Sequence, residues 1–482
     1  SIGLIFLLGR KLFDSRVGLL SLFLLPTTYL HFQISRWSTT DMAMSFFILL
    51  SLYFFVLLYK TNFQKITYTY LFYISMGLGF MVKGPPAILI PGLTILVFLT
   101  ATKRKNWFLD LHIGKGLIIL SMIILPWFAA MFWMHGVEFT NHIIGNEIKN
   151  RLVHNTPFSF YYVGVLFRYQ LPWSLFFLFA VLKQFGFLEP INGKSMGFNE
   201  NIKGLGKKFI NHAKLLFKEG NESLAFCYTW IVVCLVLFIL LRVEHSRYML
   251  PCFPAVSILT AKMFADAEEA SLKSRFPGLK FSIIFTAIIF LTLSILTGLG
   301  IFMHGSSPSA VFILPAILLL GALTLIWFVR LKNLEKAVFP IAVVLALTFS
   351  SLSGDVLPFV NRYPMKKFAE HINQENIKGP IATYKLGSHR ARLGVLTGRT
   401  VITLHSLQHA NDFLKTNQKK YLVIKKTDWE KEFSNPEMKI IKTDQIRSQI
   451  KIKSTEIKNL FNIEKLRIAI NSTETIYFVS NN

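Results

Sequence analysis

Long apolar runs separated by short polar loops make up most of the chain. They lie near 1–8, 17–34, 42–59, 67–82, 85–101, 114–134, 159–182, 224–241, 248–265, 280–303, 310–329 and 337–353. A helix needs about 20 apolar residues to cross a bilayer, so each run predicts a membrane span, the first of them partial. The pattern predicts an α-helical polytopic membrane protein with about 12 spans.

The pattern changes after residue 353. Short β-rich runs at 380–385, 394–403, 421–425 and 475–480 are interspersed with helical patterns at 364–375 and 406–416. Strands that alternate with helices are typical of a small α/β domain. We therefore predict two domains, a transmembrane domain over 1–353 and a soluble α/β domain over 354–482.

Basic residues are concentrated in every second loop. One set of loops includes Arg10, Lys11 and Arg16, then 103–105, then the Lys-rich stretch 183–218, whereas the loops between them hold few Lys or Arg. The positive-inside rule places the basic set in the cytoplasm. The net charge of +26 would suggest nucleic acid for a soluble protein, but here it is mostly explained by topology, and we predict no nucleic-acid partner. The opposite loops and 354–482 are predicted to be extracytoplasmic.

One lysine interrupts the apolar pattern in the stretch GLGFMVKGPPAILIP, which starts at Gly77. A charge at membrane depth costs roughly 2.5–3.5 kcal/mol. Gly84, Pro85 and Pro86 after Lys83 predict that one helix ends and another begins. Free N–H groups and the positive dipole end of the second helix would then lie beside Lys83 and favour an anion such as phosphate. The alternative is a lysine that snorkels to the headgroups.

Three further polar segments fall on the predicted outer face. In the first, Asp41 either caps the helix that starts at 42, with Thr39 or Thr40 as alternative caps, or lines an outer cavity with Arg36. In the second, Glu147 and Arg151 are four residues apart, so they can pair on one face of a surface helix near 138–156, which could also be merely structural.

The third segment, RVEHSRYMLP from Arg242, has more polar groups than topology requires. It contains His245, Arg247 and Tyr248, and an arginine can grip a phosphate bidentately. We interpret Tyr161, Tyr162 and Trp173 as membrane-interface anchors.

Cations at membrane depth suit a lipid-linked phosphate, and nearby acids suit activation of a hydroxyl. The sequence has no Walker loop and no GxGxxG, which argues against ATP-driven transport. His142, Glu147 and His154 do not fall on one helical face, so we predict no metal site, and no cofactor is required.

Together these motifs resemble the GT-C membrane glycosyltransferases, and within them the aminoarabinose transferases and protein O-mannosyltransferases. The stretch around Lys83 resembles their TKGP-type element, and Arg36 to Asp41 resembles their Arg…Asp before a span. NEIKNRLVHNTPFSFYY, followed by PW, resembles their outer juxtamembrane helix, and HSRYMLPCFPA resembles their RYxLPxxP element. The resemblance covers about residues 1–355.

The resemblance implies inverting transfer of a monosaccharide from a polyprenyl-phosphate sugar to a lipid (lipid A-like) or protein hydroxyl. The reaction would occur on the outer face of a bacterial inner membrane. The donor phosphate would be held by Lys83 and Arg151, with Arg247 or Tyr248. The cavity would be lined by Arg36, Asp41, Glu147 and His245.

The family's main catalytic acid lies in the first outer loop, between the first two spans. The chain begins at Ser1 with SIGLIFLL, which looks like the tail of a span. We therefore expect the acid upstream of Ser1, leave Asp41 only as a secondary candidate, and expect residues 1–482 alone to be inactive.

Two other classes of function stay open. A transporter or flippase for a lipid-linked anion would also need cations at membrane depth, but it usually has internal repeats and broken helices, and no repeat is found. A membrane scaffold with an outer binding domain would leave Lys83 and Arg247 unexplained.

Overall fold

The structure is a computed structural model. It describes residues 1–104, 107–141, 159–187, 206, 209–242, 244–269, 277–304, 312–331, 333–353, 364–387, 389–415, 418–433, 438–447 and 473–481. The chain forms two compact units, Ser1–Leu291 with Leu320–Ala346, and Thr292–Leu319 with Leu347–Asn482.

The first unit is helical. Its helices, of which the last three also run into the second unit, are α1 (Ile2–Leu12), α2 (Ser15–Leu24), α3 (Tyr29–Ser35), α4 (Asp41–Lys60), α5 (Ile66–Lys83), α6 (Pro86–Ala101), α7 (Trp107–Asp110), α8 (Ile113–Asn141), α9 (Tyr161–Arg168), α10 (Trp173–Gln184), α11 (Glu222–Leu241), α12 (Phe253–Glu269), α13 (Pro277–His304), α14 (Ile313–Arg330) and α15 (Val338–Ser351). Two 3-10 segments, Ser246–Cys252 and Leu334–Ala337, precede α12 and α15.

Each predicted span falls on one or more of these helices, but fewer than 12 helices can cross a membrane alone. Among the described residues, six are long and apolar enough, and up to eight spans result if two bent pairs are each counted as one. The bent pairs, α2 with α3 and α9 with α10, match the predicted runs 17–34 and 159–182. Helices α6 and α15 are apolar but shorter, and α1 has 11 residues.

Proline explains both bends. The chain turns by 63° between α2 and α3, and by 114° between α9 and α10, where Pro26 and Pro172 lack the N–H that a continuous helix requires. The two breaks lie against each other. The Leu30 backbone N–H donates to the Tyr169 carbonyl at 3.1 Å, and the Trp173 indole N–H donates to the Thr27 hydroxyl at 3.1 Å. These two hydrogen bonds join the breaks within the protein, as apolar surroundings require, whereas the buried side-chain amide of Gln170 has no hydrogen-bond partner among the described residues.

An aromatic cluster forms part of the core of this unit. Phe55 of α4 stacks on Phe226 of α11 with 5.8 Å between ring centroids. Phe98 of α6 meets Phe226 edge to face at 5.5 Å. All three side chains are at most 2% exposed, so α4, α6 and α11 are held together by rings that are removed from lipid and water alike.

A five-stranded sheet forms most of the second unit. Its strands are β1 (Ile381–Tyr384), β2 (Val401–Leu404), β3 (Tyr421–Lys425), β4 (Met438–Arg447) and β5 (Thr473–Asn481), in the order β2-β1-β3-β5-β4. Strand β1 is parallel to β2 and β3, whereas β5 is antiparallel to β3 and β4. The accompanying helices are α16 (Pro364–Gln374), α17 (His389–Thr397), α18 (Leu407–Leu414) and α19 (Lys426–Glu432).

The predicted α/β character of this region is confirmed, but the strand at 394–403 is wrong over its first half. Residues up to Thr397 belong to α17, and the strand starts only at Val401. The β-branched residues of GVLTGRTVIT favoured a strand. In the structure this stretch starts within a helix whose Leu393 is fully buried. The helix ends before Gly398, which has φ +67°. Strand β4 and helix α19 were not predicted. The domain boundary at 353 stays a prediction.

An ion pair in this unit predicts a pH dependence. The Lys385 ammonium donates to Glu432 at 2.8 Å, and the buried Tyr384 hydroxyl also donates to it. These hydrogen bonds hold the pKa of Glu432 below its usual range. A lowered carboxyl pKa stabilises the fold above the pKa of the unfolded chain, and the stabilisation is lost as the pH falls through the folded-state pKa.

We therefore expect Glu432→Gln to speed hydrogen exchange in β1 and β3 at pH 7, and the difference from the wild type to vanish between about pH 5 and pH 3. Mass spectrometry of the full chain would measure it. Glu430→Gln is the matched control, because Glu430 is 60% exposed and its ion pair among the described residues is with Lys426, four residues away at 3.6 Å. An equal effect of both substitutions at every pH would contradict the prediction.

Candidate functional site

The predicted turn after Lys83 is confirmed. Lys83 is the last residue of α5, and α6 begins at Pro86. Between them Gly84 has φ +85°, a conformation that a residue with a Cβ rarely adopts. Proline at the start of α6 prevents α5 from continuing, so the chain reverses directly beside the lysine.

The expected free N–H groups at the start of α6 are not there. Pro85 and Pro86 have no N–H, and the next N–H groups, at Ala87 and Ile88, donate to the carbonyls of Gly84 and Pro85 at 3.2 and 3.0 Å. The same prolines that create the turn therefore remove the donors. Any anion at this turn must be held by side chains, helped only by the helix dipole.

A glycine one turn before Lys83 brings three helices together. A Cβ at Gly79 would lie 2.9 Å from the Ala87 Cβ of α6 and 3.0 Å from the Phe47 Cβ of α4. Only a residue without a side chain fits at this approach. The close packing of α4 against α5 places the start of α4, at Asp41, beside the end of α5, at Lys83.

Asp41 is the centre of the cluster. Its carboxylate is 1% exposed. One oxygen accepts a hydrogen bond from the Lys83 ammonium, and the other lies 3.9 Å from Nε of Arg247. The side chain thus faces two cations instead of capping its own helix, whose N-cap position is Thr40. Of the alternative caps, the structure places Thr40, not Asp41, at the N-cap position, and the role of Asp41 in an outer-facing cavity stays a prediction.

Arg247 has an unused donor. Its side chain is 38% exposed, yet its Nε is buried and makes no hydrogen bond within the described part of the chain. The distance of 3.9 Å to Asp41 gives electrostatic attraction but is too long for a hydrogen bond. A buried donor without an acceptor is costly, and an anion placed between Lys83 and Arg247 would supply one.

Tyr248 forms an aromatic wall beside the cations. The Lys83 ammonium lies 5.2 Å from its ring centroid, within the range of cation–π attraction. The ring stacks on Phe238 at 5.7 Å, and the His245 ring meets it edge to face at 5.4 Å. The 3-10 segment Ser246–Cys252 thus brings Arg247 and Tyr248 to the same cluster.

Two aromatic residues interpreted as interface anchors lie in the interior instead. Tyr162 is 2% exposed, and its hydroxyl accepts a hydrogen bond from the His245 backbone N–H at 3.4 Å. Trp173 is fully buried. The sequence signal that could have identified Tyr162 is weak, because a tyrosine next to another tyrosine near a span end is also typical of an interface.

The remaining predicted site residues are placed as follows. Arg36 follows α3, and its guanidinium lies 5.5 Å from the Phe32 ring centroid. Glu147 and Arg151, with most of the predicted surface helix near 138–156, lie outside the described residues. Helix α8 does change direction at Gly136, near the predicted start of that helix.

The cluster has two positive side chains and one negative one, so it keeps one net positive charge. It can therefore accept a further anion without an unfavourable charge balance. Asp41 faces both cations and keeps them close to each other. Within the described residues, no group of three His, Cys, Asp or Glu side chains could hold a metal ion.

Comparison with known proteins places this arrangement in context. A family model described as dolichyl-phosphate-mannose-protein mannosyltransferase matches residues 1–130. An uncharacterized protein of Aquifex aeolicus is 23% identical over 404 residues, which cover 83% of this chain and 69% of that protein. The undecaprenyl phosphate-alpha-4-amino-4-deoxy-L-arabinose arabinosyl transferase of Wigglesworthia glossinidia brevipalpis is 28% identical over 61% of this chain. The chain spans 48% of the length of that relative.

The fold is also found among solved structures. The crystal structure of ArnT from Cupriavidus metallidurans bound to undecaprenyl phosphate superimposes with a TM-score of 0.66 at 15% identity, covering 92% of this chain and 80% of that one. The chain therefore has the fold of ArnT, that of a polytopic membrane protein of GT-C type. In sequence it is similar to aminoarabinose transferases and, over residues 1–130, to the protein mannosyltransferases that the family model describes.

The Asp41–Lys83 pair should be strongly coupled. Removing one partner of a buried ion pair leaves a charge without compensation, which costs about 3–5 kcal/mol, whereas removing both costs less. We expect Lys83→Met and Asp41→Asn each to lower the melting temperature, and the double variant to recover much of the loss. A double-mutant cycle by thermal unfolding in detergent would measure the coupling.

The pair of Lys262 and Asp266 on α12 is the matched control. It is an i,i+4 pair with side chains 27% and 38% exposed, for which about 0.3–0.5 kcal/mol is typical. Equal coupling in both cycles would show that Asp41 and Lys83 interact no more strongly than a surface pair.

Proposed function

We propose that the chain forms the donor-phosphate site of an enzyme that transfers a monosaccharide from a polyprenyl-phosphate sugar to a hydroxyl of a lipid or protein, with inversion, on the outer face of a bacterial inner membrane. The observation that carries the proposal is the cluster of Lys83 and Arg247 around the buried Asp41. Similarity to glycosyltransferases supports the reaction class.

The leaving group explains why two cations are needed. When the bond between the sugar and the phosphate breaks, the phosphate gains negative charge. Cations that are already in place stabilise this charge more in the transition state than in the ground state. Lys83 supplies a compact ammonium, and Arg247 supplies planar donors that fit phosphate oxygens. Its unused Nε donor would gain an acceptor.

Asp41 is assigned a positioning role. Its two oxygens face Lys83 and Arg247, so it holds the cations at the spacing that the phosphate needs. It is not assigned as the base that deprotonates the acceptor. That acid stays the prediction made from the resemblance, which puts it in the loop between the family's first two spans.

The substrate is proposed by class. Relatives named as transferases of an aminoarabinose from undecaprenyl phosphate support a polyprenyl-phosphate donor. A lipid A-like molecule is one proposed acceptor. A protein is the other, because the matched family model describes protein mannosyltransferases. Arg151 stays a proposed phosphate ligand, and Glu147 and His245 stay proposed residues of the cavity wall. The transporter or flippase finds no support among the relatives.

Polyprenyl-phosphate binding tests the proposal. We expect Lys83→Ala to weaken binding at least tenfold, equivalent to about 1.4 kcal/mol, because one charge-assisted contact to the phosphate is lost. Native mass spectrometry of the purified protein in detergent, over a titration with undecaprenyl phosphate, would measure it.

Two variants separate binding from folding. The double variant Asp41→Asn with Lys83→Met removes the charged pair without leaving a bare carboxylate, and it should still bind poorly because Lys83 is absent. Lys262→Ala removes a cation from another pair and should bind like the wild type. Wild-type affinity in the double variant would refute the phosphate site at Lys83.

A further inference from the structure

A second basic cavity lies in the α/β part of the second unit, in a groove between α17 and the edge strand β2. Its volume is about 610 Å³, and its walls include Gly387, Arg390, Gly394, Val395, Thr403 and His405. These residues come from the loop after β1, from one face of α17 and from β2 with the residue that follows it. The proposed transfer reaction makes no use of them.

Packing places the groove on one face of the sheet. Leu393 of α17 packs with Ile381 and Val401 on one face, whereas Ala410 of α18 packs with Ala382 and Leu404 on the other. The groove therefore lies on the α17 face and runs along the edge strand, because residues from the start of β2, such as Val401, and from its end, such as Thr403, both line it.

The groove offers positive charge that is not used elsewhere. Arg390 is exposed, and its side chain has no ion pair or hydrogen bond within the described part of the chain. Two nearby cations are already engaged: Lys385 pairs with Glu432 at 2.8 Å, and Arg399 donates to the carbonyls of Lys378 and Gly379 at 2.7 and 2.8 Å. Among the described residues that line the groove, none is Asp or Glu.

The backbone at the end of β1 leaves space beside Arg390. Gly387 has φ +51°, and a Cβ built there would have no atom within 4 Å. Helix α17 starts two residues after Gly387, so the positive end of the helix dipole lies next to this glycine. The segment 354–482 holds 22 Lys and Arg against 12 Asp and Glu, which raises the local concentration of anions.

We propose that this groove is a binding site for a phosphate-bearing ligand. Arg390 holds the phosphate, His405 and the Thr403 hydroxyl donate hydrogen bonds to it, and the remainder of the ligand lies along Gly394 and Val395. The phosphate comes from either a soluble phosphate ester or a phospholipid headgroup. The proposal does not depend on the transfer reaction or on Lys83.

The first test is hydrogen exchange of the full chain in detergent with and without inorganic phosphate. We expect phosphate to protect 389–397 and the residues after β2, and Arg390→Gln to raise the phosphate concentration needed at least tenfold. Arg392→Gln is the matched control: it removes the same charge from the same helix, but Arg392 does not line the groove. Equal losses in both variants would overturn the proposal, because they would indicate only a general attraction of anions.

A second pair of variants avoids loss of a native contact. Val395 is 84% exposed, so Val395→Glu and Val395→Gln should both fold, and only the glutamate should repel phosphate. Wild-type protection in Val395→Glu would also overturn the proposal.

Nanodiscs distinguish the two sources of phosphate. The first outcome is that nanodiscs of phosphatidic acid protect the groove from hydrogen exchange while nanodiscs of phosphatidylcholine do not. If Arg390→Gln also abolishes this protection, the bound phosphate is that of a lipid headgroup. Protection only by inorganic phosphate would assign a soluble ester. Protection by neither would refute the site. Lys83→Ala should leave all these results unchanged, so failure here is separable from failure of the donor site.

Discussion

The structure around the candidate site depends on a carboxylate that is buried from solvent. Asp41 is 1% exposed, and a buried charge is tolerated only when cations surround it. This requirement ties together elements that are far apart in sequence: the start of α4, the end of α5 and the 3-10 segment that carries Arg247. The other local features follow from it. Gly79 allows α5 to approach α4, and Gly84 with two prolines ends α5 where its last residue reaches Asp41.

Irregular backbone is placed where the protein itself can satisfy it. The bends at Pro26 and Pro172 lie against each other and exchange hydrogen bonds, and the 3-10 segment is held by Tyr162 through the His245 backbone. Two consecutive residues of this segment contribute to the cluster in different ways, Arg247 through its charge near Asp41 and Tyr248 through its ring beside Lys83.

Local patterns predicted the local structure well. The apolar runs located the helices, and Gly-Pro-Pro located the turn, because both depend on neighbouring residues alone. The pairing of Asp41 with Lys83 could not be predicted in the same way, since 42 residues separate them and only packing brings them together. Tyr162 and Trp173 could not be placed from local sequence either, because Tyr and Trp are typical of a membrane interface but tertiary contacts bury these two. At 394–403 the β-branched residues favoured a strand, but burial of Leu393 against the sheet selected a helix.

The charge balance of the cluster also bears on how a product would leave. Two cations facing a phosphate alone would bind it tightly, and the site would be slow to clear after each transfer. With Asp41 between them, the phosphate competes with a carboxylate that is always present, and its net attraction comes from one positive charge instead of two. In the proposed reaction the carboxylate would therefore have two effects. It would keep Lys83 and Arg247 in place when the site is empty, and it would limit the affinity for a spent polyprenyl phosphate, so that binding energy would be available mainly for the charge that develops as the bond to the sugar breaks.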